Sequence, residues 1–176
     1  MNLSEIIQSN LHYPPIKKID PNTSAPKNEE EYFEPGSLAQ AAIPVTILGL
    51  LQYLDGNQLK TEDLKTESNE LEIIFGDKFS EIVSHVAKYA GENEEHAKHE
   101  MNLILTEAIR LIKESEKNKS QSIHHLVKFI KADTILYLPV SLHAGLLLGD
   151  DFIDDSTRKM EGPISNMVHG IEKRFM

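Results

Sequence analysis

The 176-residue sequence contains no cysteine. Disulfide bonds, thiolate metal sites and cysteine nucleophiles are therefore excluded. Basic residues are also few, because 18 Lys and Arg face 28 Asp and Glu and leave a formal net charge of −10. Nucleic acids and anionic membranes are bound through basic surfaces, so we expect neither of them as a partner.

The sequence also lacks the patterns of a signal peptide and of a membrane span. Its first eight residues contain neither a basic region nor a long apolar region. The two most apolar stretches, 38–54 and 135–149, carry polar interruptions and are shorter than the ~20 apolar residues of a spanning helix. We therefore interpret both as buried core helices and expect a cytoplasmic protein.

Sequence signatures of catalysis are missing as well. The nine glycines are scattered, and they form neither a Gly-x-Ser-x-Gly motif nor a phosphate-binding loop. Because cysteine is absent too, nucleophilic catalysis has no support in the residues. We expect a non-enzymatic protein that needs no cofactor.

Apolar residues recur at helical spacing from residue 37 onward, and no segment alternates as a strand does. This pattern predicts an all-α domain over residues 37–176, a compact bundle of five or six helices. Ser37 and Asn93 are predicted N-caps, Asp77 is a third, and Gly91 is a predicted left-handed C-cap. The helix after Asn93 is predicted to bury Ala97, Met101, Ile104, Leu105, Ala108, Leu111 and Ile112.

Two prolines fall inside apolar helical stretches. The sequence Ile43-Pro44-Val45-Thr46-Ile47 has an echo in Leu138-Pro139-Val140-Ser141-Leu142. Proline lacks a backbone donor, so each proline either bends or ends its helix. We predict two proline-bent helices that pack together at the centre of the bundle. Two core helices that are only similar in composition are the alternative.

The first 36 residues have a different character from the rest. Five of the eight prolines lie between Pro14 and Pro35, which predicts an extended N-terminal arm, with room for a short helix over residues 3–8. Four residues make this arm more apolar than a simple tether. We expect it to lie along the surface of its own domain or along a second copy, through Leu11, Tyr13, Ile16 and Ile19.

Four carboxylates lie within six residues near the C-terminal end of the second apolar stretch. If the segment is helical, Asp150 and Asp154 share a face, and a divalent cation would relieve their repulsion. The alternative is an acidic loop whose residues cap the next turn. The segment also resembles the first aspartate-rich motif of isoprenyl diphosphate synthases, which are all-α enzymes. This resemblance implies Mg²⁺ bound by Asp150, Asp151 and Asp154, with Arg158 and Lys159 near a diphosphate.

A second resemblance covers about forty residues and part of the tail. It is carried by Ile74-Phe75-Gly76-Asp77-Lys78, by Val86-Ala87-Lys88-Tyr89-Ala90-Gly91 and by the sequence around Met160-Glu161-Gly162-Pro163. These segments are similar to small helical bacterial proteins of the YidB-like family and to uncharacterised bacterial proteins of similar size. The resemblance implies a helical fold and assigns no activity.

The eight histidines offer a further place to look for metal ligands. Glu95, His96, His99 and Glu100 have suitable side chains, but the helical wheel places the two histidines opposite the apolar stripe. We therefore interpret them as part of a solvated face. His143 lies on an apolar helix, where it is either a core histidine or the polar anchor of a ligand.

Three functional hypotheses follow from these residues. The first is a non-enzymatic helical protein that acts by self-association, for example as a homodimer, or by binding a protein partner through its N-terminal arm. The second is Mg²⁺-dependent binding of a diphosphate or another anion at Asp150–Asp155. The third is a carrier of an apolar small molecule, anchored by His143, which requires an internal cavity.

Overall fold

The computed structural model describes residues 2–19, 37–57, 69–118 and 123–139, together with residues 142, 145 and 148. These residues form helices and no strands, which confirms the predicted all-α fold. The α-helices are α1 (Leu3–Asn10), α2 (Leu38–Asn57), α3 (Glu70–Phe75), α4 (Phe79–Ala90), α5 (Glu94–Asn118) and α6 (Ile123–Thr134). Two short 3₁₀ turns lie at Gly76–Lys78 and Ile135–Tyr137.

Helix α2 lies at the centre of the fold. It contacts α1, α3, α4, α5 and α6, and its residues from Ala39 to Leu51 are buried around the whole circumference. By length and composition it could also cross a membrane, with a mean hydropathy of 1.3 over Leu38–Gly56, yet 78% of that window is buried inside the chain. A helix that is apolar on every side needs such a covering, since it has no face suited to water.

The predicted helix boundaries are confirmed where a capping side chain defines them. Ser37 Oγ accepts a hydrogen bond from the Gln40 amide at 3.2 Å, and Asn93 Oδ1 accepts one from the His96 amide at 2.8 Å. Gly91 ends α4 in the left-handed region at φ 68°. The predicted apolar stripe of α5 is buried in full, from Ala97 to Ile112.

The region around Gly76 differs from its prediction. The apolar stripe from Phe75 to Ala90 belongs to two helices, because the chain forms a 3₁₀ turn between α3 and α4, with Gly76 at φ 53°. Lys78 is the N-cap residue of α4 and makes no side-chain cap, so the prediction that Asp77 caps this helix is wrong. Apolar residues can keep a helical spacing across a single 3₁₀ turn, because the 3₁₀-helix and the α-helix have similar numbers of residues per turn.

The two prolines of the sequence echo have different surroundings. Pro44 lies inside α2, which continues to Asn57. Pro139 follows the 3₁₀ turn, and Leu138 before it is extended, with ψ 120°. A residue before proline avoids the helical region, so Pro139 ends its helical run while Pro44 is accommodated within one.

The N-terminal residues are part of the same hydrophobic core. Helix α1 forms over the stretch where a short helix was predicted, and it packs against α2, α5 and α6. Leu3 and Ile7 are fully buried there, and Ile6, Leu11, Tyr13 and Ile16 pack partly buried against the core. Of the predicted arm, residues 20–36 lie outside the described residues.

One polar side chain in α2 stands out because it is buried without a partner. Thr46 is fully buried, and its hydroxyl has no hydrogen-bond partner among the described residues. An unsatisfied buried hydroxyl costs about 1–3 kcal/mol. We expect Thr46→Val to raise the free energy of unfolding by about 1 kcal/mol, since valine keeps the shape and the β-branch. Urea denaturation measures the change, and a loss of stability would show that the hydroxyl is satisfied.

Candidate functional site

Residues 2–19, here called the N-terminal segment, combine a helix with a stretch that has no regular secondary structure. Helix α1 ends in a Schellman motif, in which the Tyr13 amide donates to the Gln8 carbonyl at 2.9 Å and the His12 amide donates to the Ser9 carbonyl at 3.2 Å. His12 occupies the left-handed position of this motif at φ 58°, where glycine is more usual. The motif reverses the chain direction, and residues 13–19 then run without helical structure.

Gln40, in the first turn of α2, binds the main chain of this irregular stretch. Its Oε1 accepts from the Lys17 amide at 2.8 Å, and its Nε2 donates to the Lys17 carbonyl at 3.0 Å. The same Nε2 donates to the Tyr137 carbonyl at 2.7 Å. Gln40 is only 8% exposed, so these bonds form in a low-dielectric environment where unpaired groups are costly.

A second main-chain contact lies two residues further along the segment. The Ile19 amide donates to the Leu136 carbonyl at 2.8 Å. The contacts of Lys17 and Ile19 are made by backbone atoms, so they do not depend on the side chains of the segment. We call the surface formed by Gln40, Leu136 and Tyr137, together with the facing side of α5, the segment groove.

Tyr137 joins the groove to the start of α1. Its side chain is 1% exposed, and its hydroxyl donates to Glu5 at 2.5 Å and accepts from the Asn2 side-chain amide at 2.7 Å. The Lys18 ammonium lies 5.8 Å from the centre of the Tyr137 ring, within reach of a cation–π interaction. Burial and the hydrogen bond to Glu5 raise the pKa of Tyr137 to about 12.

Helix α5 supplies the other contacts to the N-terminal segment. The Tyr13 hydroxyl donates to Glu100, and the Asn10 amide donates to Glu107 at 2.7 Å. Burial raises the pKa of Tyr13, and the bond to Glu100 raises it further. Arg110, at 2.6 Å from Glu107, lowers the pKa of that carboxyl, and Asn10 adds to the effect. The segment is therefore held along its length, from Asn2 to Ile19.

His96 and His99 are exposed on α5, as the helical wheel predicts. His96 lies between Glu92, at 3.2 Å from Nδ1, and Glu100, at 3.6 Å from Nε2. Glu100 is half-buried beneath Tyr13, which the sequence pattern did not predict. Across the described part of the chain, no three His, Asp or Glu side chains lie close enough to hold a metal ion.

A pocket of about 290 Å³ lies at the opposite half of α2. It is bounded by α2, by α3 and by the beginning of α4, and Leu148 closes one side. Gln52 Nε2 donates to the Leu148 carbonyl at 2.8 Å and so fixes that wall. The hypothesis of a carrier for an apolar small molecule requires a cavity. This pocket is a candidate for that cavity. Its described lining residues are Gly49, Gln52, Tyr53, Ile74, Phe75, Lys78, Ile82 and Leu148.

The site residues predicted from the sequence lie elsewhere in the chain. His143, Asp150, Asp151, Asp154, Arg158 and Lys159 are all outside the described residues. The magnesium hypothesis and the role of His143 therefore stay predictions. The sequence did not indicate the residues that build the segment groove, because Gln40 is one of several polar interruptions in an apolar stretch and nothing marks Tyr137. A polar residue that is out of place in an apolar run was the one available signal.

The raised pKa of Tyr137 makes a prediction about alkaline stability. The neutral hydroxyl donates to Glu5, whereas the phenolate cannot, so the contribution of Tyr137 is fully present below pH 10 and is lost as pH rises towards about 12. We expect Tyr137→Phe to cost about 1 kcal/mol at pH 8, because it removes these hydrogen bonds. The difference from the unmodified protein should shrink between pH 10 and pH 12. Chemical denaturation at each pH measures the difference in the free energy of unfolding. A difference that stays constant over this range would contradict the raised pKa of Tyr137.

Comparisons with known proteins add no independent guide to either site. No protein-family model, no curated protein and no solved structure matches the chain. The likeness to YidB-like proteins and to isoprenyl diphosphate synthases therefore stays a prediction from short sequence motifs. The segment groove and the pocket are left as the two features whose geometry can suggest a function.

Proposed function

We propose that the protein is a non-enzymatic helical protein that self-associates by exchanging its N-terminal segment with that of a second copy. The observation that carries this proposal is the pairing of the Gln40 side-chain amide with both main-chain groups of Lys17. Hydrogen bonds to the main chain give affinity for a bound peptide without depending on its side chains. In this chain the bound peptide is its own N-terminal segment.

A second copy is the partner that fits this groove best. It brings the same segment, so every hydrogen bond made within one chain can be made between two chains without a new complementary surface. The hydrogen bonds between Lys17 and Gln40 close a 23-residue loop, so the chain leaves the groove and returns to it at nearly the same place. Residues 20–36 can span at most about 60 Å when extended, enough to reach a neighbouring molecule.

The equilibrium between the monomer and the exchanged dimer depends on the connection, residues 20–36. It does not depend on the contacts of the segment, because both forms make the same ones. Exchange preserves the buried residues Leu3 and Ile7 and the bonds to Gln40, so their free energies cancel. What remains is the effective concentration that the covalent connection gives the segment at its own groove. We therefore expect exchanged dimers to increase with protein concentration and when the connection is shortened.

Cross-linking between two single-cysteine variants tests the exchange directly, since the natural chain has no cysteine. Asn10 and Glu107 are in contact, with 2.7 Å between the Asn10 amide and the Glu107 carboxylate. A mixture of an Asn10→Cys chain and a Glu107→Cys chain, co-incubated at high concentration and treated with a short bismaleimide, should form covalent heterodimers. The yield should increase when residues 20–36 are shortened, and denaturing electrophoresis measures it.

The matched control mixes the Asn10→Cys chain with a Lys88→Cys chain, because Lys88 is exposed on α4 and makes no described contact with the N-terminal segment. This pair reports chance collisions at the same concentration. Heterodimer yield equal to that of the control, with a monomeric mass by light scattering at every concentration, would contradict self-association. If the protein is monomeric but an added peptide of residues 13–19 binds the segment groove, the partner is a different protein.

A further inference from the structure

Helix α6 presents apolar residues on a side that the described part of the chain leaves uncovered. Phe129 is 57% exposed, the highest value among the exposed large apolar side chains of the described residues. Ala132 is exposed as well, and Leu136 is half-buried in the 3₁₀ turn that follows α6. These residues are three and four positions apart, so they lie on one side of the helical run. We call this surface, formed by Phe129, Ala132 and Leu136, the α6 face.

The α6 face is bordered by two opposite charges. Lys128 precedes Phe129, and Asp133 follows Ala132. At about 100° per residue, the two charges lie about 70° to either side of the centre of the face. Within the described residues, neither side chain takes part in an ion pair. Because they are five positions apart on opposite borders, they cannot pair with each other inside one helix.

This order of residues is typical of a parallel pair of helices. In such a pair each apolar residue packs against its equivalent, and charges on the two borders form ion pairs between the helices. Lys128 of one helix then lies beside Asp133 of the other, five positions further along. In an antiparallel pair about a twofold axis, each border would meet the same border of the second helix, so like charges would come together.

We propose that the α6 face binds the α6 face of a second copy as a parallel helix pair about a twofold axis. Phe129, Ala132 and Leu136 of the two copies pack together, and Lys128 of each copy pairs with Asp133 of the other. This inference rests on the proposed self-association and names a surface for it. Exchange of the N-terminal segment keeps contacts that the monomer already makes, so a contact that only the dimer makes is what favours association.

The N-terminal segment ends beside this surface. The Ile19 amide donates to the Leu136 carbonyl at 2.8 Å, at the C-terminal end of the α6 face. In a parallel pair both Leu136 residues lie at the same end of the dimer, and packed helices are about 8–10 Å apart. The two segments therefore leave their grooves close to each other, which is the arrangement that an exchange between these two copies needs.

Charge reversal in the full-length protein tests the pairing. Lys128→Asp and Asp133→Lys each place like charges at both ionic contacts of a homodimer, so each variant alone should dimerise about tenfold more weakly at low salt. An equal mixture of the two variants should recover the unmodified affinity, because the charges at both contacts are then opposite again. Sedimentation equilibrium measures these dissociation constants. A net-charge effect alone would instead strengthen the Asp133→Lys homodimer, since this change lowers the negative charge of the chain.

Substitution of the exposed ring tests the apolar part of the contact. Phe129→Glu should weaken dimerisation at least tenfold and leave the Tm of the dilute monomer unchanged, because the ring is exposed there. Leu103→Glu is the matched control, at an apolar position of α5 that is 42% exposed, and it should leave dimerisation unchanged. A Tm that falls much further in Phe129→Glu than in Leu103→Glu would show that the chain's own residues cover the ring, and it would overturn the proposal.

A single cysteine gives a readout that does not depend on segment exchange. In a parallel pair Ala132 meets its own equivalent across the twofold axis, so two Ala132→Cys chains should form a disulfide on mild oxidation. A Lys88→Cys chain, with its cysteine at an exposed position of α4, reports chance collisions. Disulfide formation no faster in Ala132→Cys than in Lys88→Cys would overturn the α6 pairing, as would charge variants whose mixture dimerises no better than either alone.

These outcomes are separate from those that test the exchange. If the α6 pairing fails while Asn10→Cys and Glu107→Cys chains still form covalent heterodimers, the exchange stands and the second copy docks through another surface. If the mixed charge variants recover dimerisation while those heterodimers are absent, the α6 pairing is supported and the exchange is wrong.

Discussion

Helix α2 has to be covered along its whole circumference, and the rest of the described structure follows from that need. Its residues from Ala39 to Leu51 are buried, and nothing in this stretch provides a face suited to water. Burial of one large apolar side chain is worth about 1.5–3 kcal/mol, so an uncovered side of α2 would be a large loss in a protein of marginal stability. Helices α3, α4, α5 and α6 cover part of it, and α1 adds to this covering.

This need explains why the N-terminal segment is held so closely. Leu3 and Ile7 of α1 complete the core around α2, while Gln40 binds the main chain of Lys17 in the stretch that follows α1. A buried amide at the start of an apolar helix is costly unless its donor and acceptor are both satisfied, and the main chain of Lys17 satisfies both. The polar contacts therefore fix where the segment lies, and the apolar ones supply most of its stabilisation.

The same logic relates the fold to the segment groove and to the pocket. The N-terminal segment is required for the core, and the 17 residues that connect it to α2 lie outside the described structure. The segment can complete the core of either copy, so exchange preserves the contacts. At the other half of α2, Gly49 lets Phe75 lie against the backbone and leaves space beside it. One helix thus shapes both the groove and the pocket.

The sequence predicted local features well and distant ones poorly. The stripe of α5 and the caps at Ser37, Gly91 and Asn93 depend on neighbours a few residues away, and they are confirmed. The contacts of the groove join residues that are 97 and 135 positions apart, from Gln40 to Tyr137 and from Asn2 to Tyr137, and no local pattern encodes such pairs. At Gly76 the local signal was misplaced by one residue, because Asp77 was the predicted N-cap and the observed N-cap residue of α4 is Lys78.

Amide hydrogen exchange of Lys17 and Ile19 tests the central claim most directly. Both lie in a stretch without regular structure, yet their amides donate to Gln40 and to Leu136 in the groove. If the N-terminal segment is an integral part of the fold, these two amides should exchange as slowly as core amides of α2, and Gln40→Leu should release them. Exchange of both amides at the rate of an unfolded peptide in the unmodified protein would contradict the account.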